Sequence, residues 1–117
     1  MPRKQLEIRI GAAADALDRF EAAWNRVQEG RATRPLEVLS FSDLPLLTRT
    51  LSPARWALLQ ALRGEPASIY QLAKRLGRDY KNVHTDVTRL ARLGLIERGS
   101  DNLVTVRWDL LRAELKL

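Results

Sequence analysis

A chain of 117 residues can enclose one hydrophobic core and is too short for two ordinary domains. It has no cysteine and a single histidine, His84, which excludes a disulfide framework and a thiolate metal site, so neither metal nor other cofactor is expected. Twenty basic and 14 acidic side chains give a net charge of +6, distributed unevenly: residues 1–52 carry 8 Lys/Arg and 7 Asp/Glu (net +1), whereas residues 53–117 carry 12 and 7 (net +5). A positive field gathered in one half suits a polyanion, nucleic acid first among them, the alternative being charge that serves solubility alone.

The basic start, MPRKQLE, runs into no apolar stretch long enough for a signal peptide, and no segment is long enough to span a bilayer, so a cytoplasmic protein is expected. Residues 5–10, QLEIRI, alternate strictly and predict a half-buried strand ended by Gly11. From residue 12 to about 29 the apolar period becomes helical, with Leu17, Phe20, Trp24 and Val27 on one stripe and Gly30 as the stop. Residues 35–41 predict a second strand able to pair with the first. A short helix capped by Ser42 should follow over residues 43–50. Joints are expected around residues 31–34 and 64–66.

The second half reads more firmly. Ser52 followed by Pro53 is a helix start, because the serine satisfies orphan amides and proline at the first helical position loses no hydrogen bond. That helix runs to Arg63 and buries some of Trp56, Leu58, Leu59 and Leu62. Ser68 caps a helix over residues 69–76, closed by Gly77, and Asp79 caps another that ends before Gly94. A β-hairpin follows, with strands starting at Leu95 and at Leu103 and a Gly-Ser-Asp-Asn tip. Asp109 is read as the cap of a final short helix carrying Leu110, Leu111 and Leu115.

Three helices with a glycine turn before the third, then a hairpin, predict an α+β fold: a winged helix-turn-helix with an N-terminal strand-helix-strand extension. Residues 1–50 form the accessory or dimerisation segment and residues 51–117 the DNA-binding domain. The third helix fits the major groove of double-stranded DNA, where base-pair edges are distinguishable. Asn82, His84, Thr85 and Arg89 are the candidates for base edges, and Tyr80 and Lys81 for phosphates at its entry. Lys74, Arg75 and Arg78 form the densest basic patch and should set salt-dependent affinity. Arg98, Ser100, Asn102 and Arg107 place donors on the wing. For each of these the competing explanation is an ordinary solvated surface. Asp86 is expected to turn from the groove and pair with Arg89, Arg92 or an arginine of the preceding helix.

The run SIYQLAKRLGRDYKNVHTDVTRLARLGLIERG resembles the DNA-binding core of winged-helix regulators of the MarR and ArsR superfamily, and in particular their small prokaryotic and antitoxin-like members. The resemblance is clearest over residues 68–99, where Leu90, Ala91-Arg92 and Leu93-Gly94-Leu95-Ile96 match the passage from helix to wing. It implies a transcriptional repressor acting as a homodimer, with Asn82, His84, Thr85 and Arg89 on the recognition helix and residues 98–107 as the wing. The chain opens with strand, helix and strand where MarR proteins carry long dimer-forming helices. Enzymatic activity is not expected, since His84 has no nucleophile arranged with it by sequence. The rival reading is a protein-interaction winged helix or antitoxin-like subunit that binds a cognate protein partner through Phe20, Trp24, Phe41, Trp108, Leu111 and Leu115. RNA is disfavoured because an A-form major groove is too narrow for a helix.

Overall fold

The computed structural model of the protein describes residues 4–11, 38–115 and 117. The helix expected over residues 12–29, with Phe20 and Trp24, lies outside them. The described residues make a mixed α/β fold of four helices and two small sheets, divided into two compact units. Lys4 and Arg49–Asp109 belong to one unit; the described parts of Gln5–Thr48 belong with Leu110–Leu117 to the other. The boundary expected near residue 50 thus has a counterpart at residue 109. No described helix is long and apolar enough to cross a membrane.

The strict alternation of QLEIRI produces strand β1, Gln5–Ile10, which buries Leu6 and Ile8 on one face. Beside it lies β2, Val38–Phe41, in parallel register with Ile8 opposite Leu39 and Ile10 opposite Phe41. A short helix, α1, spans Leu44–Thr50. Its first turn is capped by Asp43 rather than by Ser42, the Asp43 carboxylate accepting the Leu46 N–H at 2.8 Å.

In the larger unit each helix begins at the expected cap. Ser52 accepts the Arg55 N–H at 3.3 Å and opens α2, Pro53–Gly64, with proline in the first turn. At α3, Ile69–Leu76, Ser68 and Gln71 form a reciprocal capping box, with bonds of 3.1 Å in both directions. Asp79 accepts the Asn82 N–H at 3.3 Å and opens α4, Tyr80–Arg92. Between α3 and α4 the chain turns at Gly77, whose φ of 61° lies in the left-handed region that side-chain-bearing residues rarely enter.

The apolar stripes of these helices meet in one core. Leu58 and Leu62 of α2, Leu72 of α3, and Val83, Val87 and Leu90 of α4 are all less than 2% exposed, as are Leu95 and Val104 after them. Burying each such side chain stabilises by about 1.5–3 kcal/mol, which is why these positions rather than helix propensity fix the packing. Of the four apolar candidates on α2, Leu58, Leu59 and Leu62 are buried and Trp56 is 42% exposed. The hairpin is shorter than its alternation predicts: β3, Glu97–Arg98, pairs antiparallel with β4, Val104–Thr105. Leu95 and Ile96 are buried core residues ahead of β3. The Ala67 backbone bonds Val104 in both directions, at 3.2 and 2.8 Å, and the Trp108 indole donates to the Gly94 carbonyl at 3.0 Å.

The expected final helix is instead a strand, β5, Leu110–Glu114. It pairs in parallel with the free side of β1, Leu6 opposite Leu111 and Ile8 opposite Ala113, giving the order β2-β1-β5. Five residues are too few for a stable isolated helix, and β1 offers a full row of backbone partners. Asp109, which looks like a cap, spends its carboxylate elsewhere: it accepts the Lys4 N–H at 3.1 Å and an Arg63 donor at 3.3 Å.

The bond from the Lys4 backbone, helped by Arg63, holds the Asp109 carboxyl below its ordinary value of 3.8. A depressed pKa stabilises the fold above the unfolded value, and this contribution disappears as pH falls through the folded value. Asp109→Asn is therefore expected to lower the urea midpoint at pH 7, with the difference from wild type shrinking on acidification below about pH 4. A difference that persists unchanged into that acid range would refute the linkage.

Candidate functional site

Helix α4 divides its residues by period. Val83, Asp86, Val87 and Leu90 face inward. The opposite side carries Lys81, Thr85, Thr88 and Arg92, spaced i, i+4, i+7 and i+11 and therefore aligned in one stripe. Tyr80 and His84 flank the stripe on one side, their rings 6.0 Å apart, and Asn82 and Arg89 flank it on the other. Lys81, Asn82, His84, Thr85, Arg89 and Arg92 are all exposed. Among the described residues Lys81, Arg89 and Arg92 have no ion-pair partner, so three cations stand available along one helix.

The helix is held at its inner side by a charged cluster. The Asp86 side chain, only 12% exposed, accepts Arg55 Nε at 3.0 Å and Arg78 Nη2 at 2.7 Å. Arg55 also donates to the Thr50 carbonyl at 3.1 Å. Asp86 thus turns inward as expected, with Arg55 and Arg78 as partners in place of Arg89 or Arg92. Arg78 consequently serves this cluster, and its Nη1 is buried without a partner.

The hairpin meets the outward stripe at one point: Arg98 Nη2 donates to Thr88 Oγ1 at 2.9 Å, so the Arg98 guanidinium lies against the exposed side of α4. At the tip, Asn102 takes a φ of 65° and donates its N–H to the Gly99 carbonyl at 3.3 Å, a left-handed turn that asparagine tolerates well. The Asp101 carboxylate accepts the Leu103 N–H at 3.1 Å, and Ser100 is exposed.

The profile of the HVO_A0114 family matches residues 50–113, more than half of the chain. The chain belongs to the HVO_A0114 family. No curated protein and no solved structure matches it. The matched span of HVO_A0114 takes in the Asp86 cluster, the whole of α4, the hairpin and most of β5.

Within this HVO_A0114 region the thirteen residues singled out from sequence separate into two groups. Tyr80, Lys81, Asn82, His84, Thr85 and Arg89 gather on the exposed side of α4, with Arg98 beside them. Others are engaged elsewhere: Arg75 bonds Glu65, with 3.4 Å between the charged groups; Arg78 bonds Asp86; Arg107 bonds Glu97 at 3.0 Å and lies 4.4 Å from the Trp108 ring. Lys74 sits 4.7 Å over the Tyr70 ring, exposed and adjustable. Arg92 and Thr88 complete the stripe, and Arg92 was not among the candidates; its spacing of i+11 from Lys81 is the signal that locates it. Among the described residues no group of His, Asp or Glu is arranged to hold a metal ion.

Proposed function

We propose that this protein is a double-stranded DNA-binding regulator of winged helix-turn-helix type, acting as a homodimeric repressor. In this reading α3 and α4 form the helix-turn-helix, α4 enters the major groove and the β3–β4 hairpin is the wing. The observation that carries it is the α4 stripe: Lys81 and Arg92 without an ion-pair partner among the described residues, Arg89 at its flank, and Arg98 of the hairpin tied to Thr88 within it. A helix lying in the groove has phosphates on both sides and base edges beneath. Such a site needs mobile cations at its borders and short polar side chains between them, which Thr85, Thr88 and Asn82 supply. With Asp86 turned inward and neutralised by Arg55 and Arg78, the exposed side of α4 carries no carboxylate.

The test is binding of the purified protein to its own upstream DNA and to a scrambled duplex across a salt series. Preference for the native fragment is expected, with affinity falling about 10³-fold between roughly 50 and 200 mM salt for about six phosphate contacts per dimer. Absence of binding to either duplex at low salt would overturn the reading.

A further inference from the structure

The three-stranded sheet ends at β5, and no described strand pairs with its outer side. Its residues divide into two faces. Leu111 and Ala113 share the face on which Leu6 and Ile8 of β1 are buried, and Leu115 follows at the same parity. Cover fades along it: Leu111 is half-buried, Ala113 is exposed and Leu115 is 53% exposed. On the other face Arg112 stands opposite Glu7 and Glu114 opposite Arg9, with 3.5 Å between the Arg9 and Glu114 charges. An apolar sheet face that continues uncovered to an open edge is an invitation to another strand.

We propose that a second copy of this chain pairs antiparallel along the outer edge of β5, about a two-fold axis at Ala113. The sequence of the edge is self-complementary in this register alone. Arg112 then faces Glu114 of the second copy, Leu111 faces its Leu115, and each pair occurs twice by symmetry. A slip by one residue sets Leu111 against Glu114 or Arg112 against Leu115. A slip by two sets Arg112 against itself or Glu114 against itself. The β2 edge, Val38–Phe41, has no charges with which to select a register. Pairing through β5 doubles the three-stranded sheet into one of six strands, setting Ala113 beside its own counterpart and Leu115 beside Leu111 of the second copy. This inference rests on the homodimer in the reading above and is independent of what the α4 stripe binds.

The test uses sedimentation without DNA together with the Ala113→Cys variant, the chain having no cysteine of its own. Directly opposed residues in antiparallel strands have Cα atoms about 4.5–5.5 Å apart, within the span of a disulfide. Mild oxidation of Ala113→Cys should give a covalent dimer. Arg112→Cys alone should not crosslink, but should do so when mixed with Glu114→Cys. Leu115→Lys should weaken the wild-type dimer about tenfold. A wild-type protein that sediments as a monomer, or one that dimerises while oxidised Ala113→Cys stays uncrosslinked, would overturn the proposal. A crosslinked dimer that ignores DNA would refute only the DNA reading, and a DNA-binding protein without the crosslink only this one.

Discussion

Asp86→Ala should lower the stability of the helical unit by about 3 kcal/mol, read as a large drop in the urea midpoint. The carboxylate is the common acceptor for two guanidinium groups that arrive from α2 and from the turn after α3, so it joins three segments through one side chain. Its removal leaves Arg55 and Arg78 partly buried with their charges unmatched. Arg78 already has one nitrogen without a partner and would lose its short bond as well. With a typical domain stability of about 5–15 kcal/mol, a loss of that size is a large share of the total. Replacing the whole cluster by apolar residues of similar volume, Arg55→Met with Asp86→Leu and Arg78→Met, should restore much of the loss, because the cost lies in the stranded charges. A midpoint for Asp86→Ala within about 0.5 kcal/mol of wild type would show that the cluster contributes little.

The second large effect concerns ligand binding. Lys81→Glu combined with Arg92→Glu should reduce DNA affinity by at least about 100-fold at low salt and lessen the steepness of its salt dependence by about 3.6 in log–log slope, the share of four phosphate contacts, two from each protomer. Both side chains are exposed and have no ion-pair partner among the described residues, so the urea midpoint should stay near that of wild type; this separates a lost contact from a lost fold. Arg75→Glu is the informative comparison. Arg75 is already occupied by Glu65, and its reversal should cost much less affinity than either change on α4. Equal losses from all three would mean that the protein binds through a diffuse positive field, without α4 in a defined position. Unchanged affinity of the double variant would remove α4 from the interface.

Several local signals are sound guides where structure is decided within a few residues, although at α1 the cap is Asp43 and not the expected Ser42. Ser52-Pro53, the Ser68–Gln71 box, Asp79 and Gly77 each announce a helix boundary that the fold uses, and QLEIRI announces β1. Two features escaped because distant partners decide them. β5 contains adjacent leucines after an aspartate, a fair imitation of a capped helix, and becomes a strand because β1 has a vacant side. Arg55 meets Asp86 across 31 positions, a pairing that no helical or strand period encodes. On α4 the exposed candidates follow directly from helical period, and Arg92, at the far end of the helix, belongs to the same stripe by its spacing of i+11 from Lys81. Arg75, Arg78 and Arg107 illustrate the converse: composition counts their charges, and only tertiary geometry reveals that carboxylates already hold them.

The pairing of β1 with β5 also orders events in time. Lys4 and Asp109 meet across 105 positions, and the strand register that follows is equally remote, whereas the helices contact neighbours close in sequence. Closing so long a loop carries a large entropic cost that nearby contacts do not incur. During synthesis β1 therefore emerges long before β5 exists, and the helical core, lying between them in the chain, can assemble while that side of β1 is still waiting. Addition of β5 is then the last step in building the sheet, and the side of β1 that it covers is the edge exposed when folding is delayed.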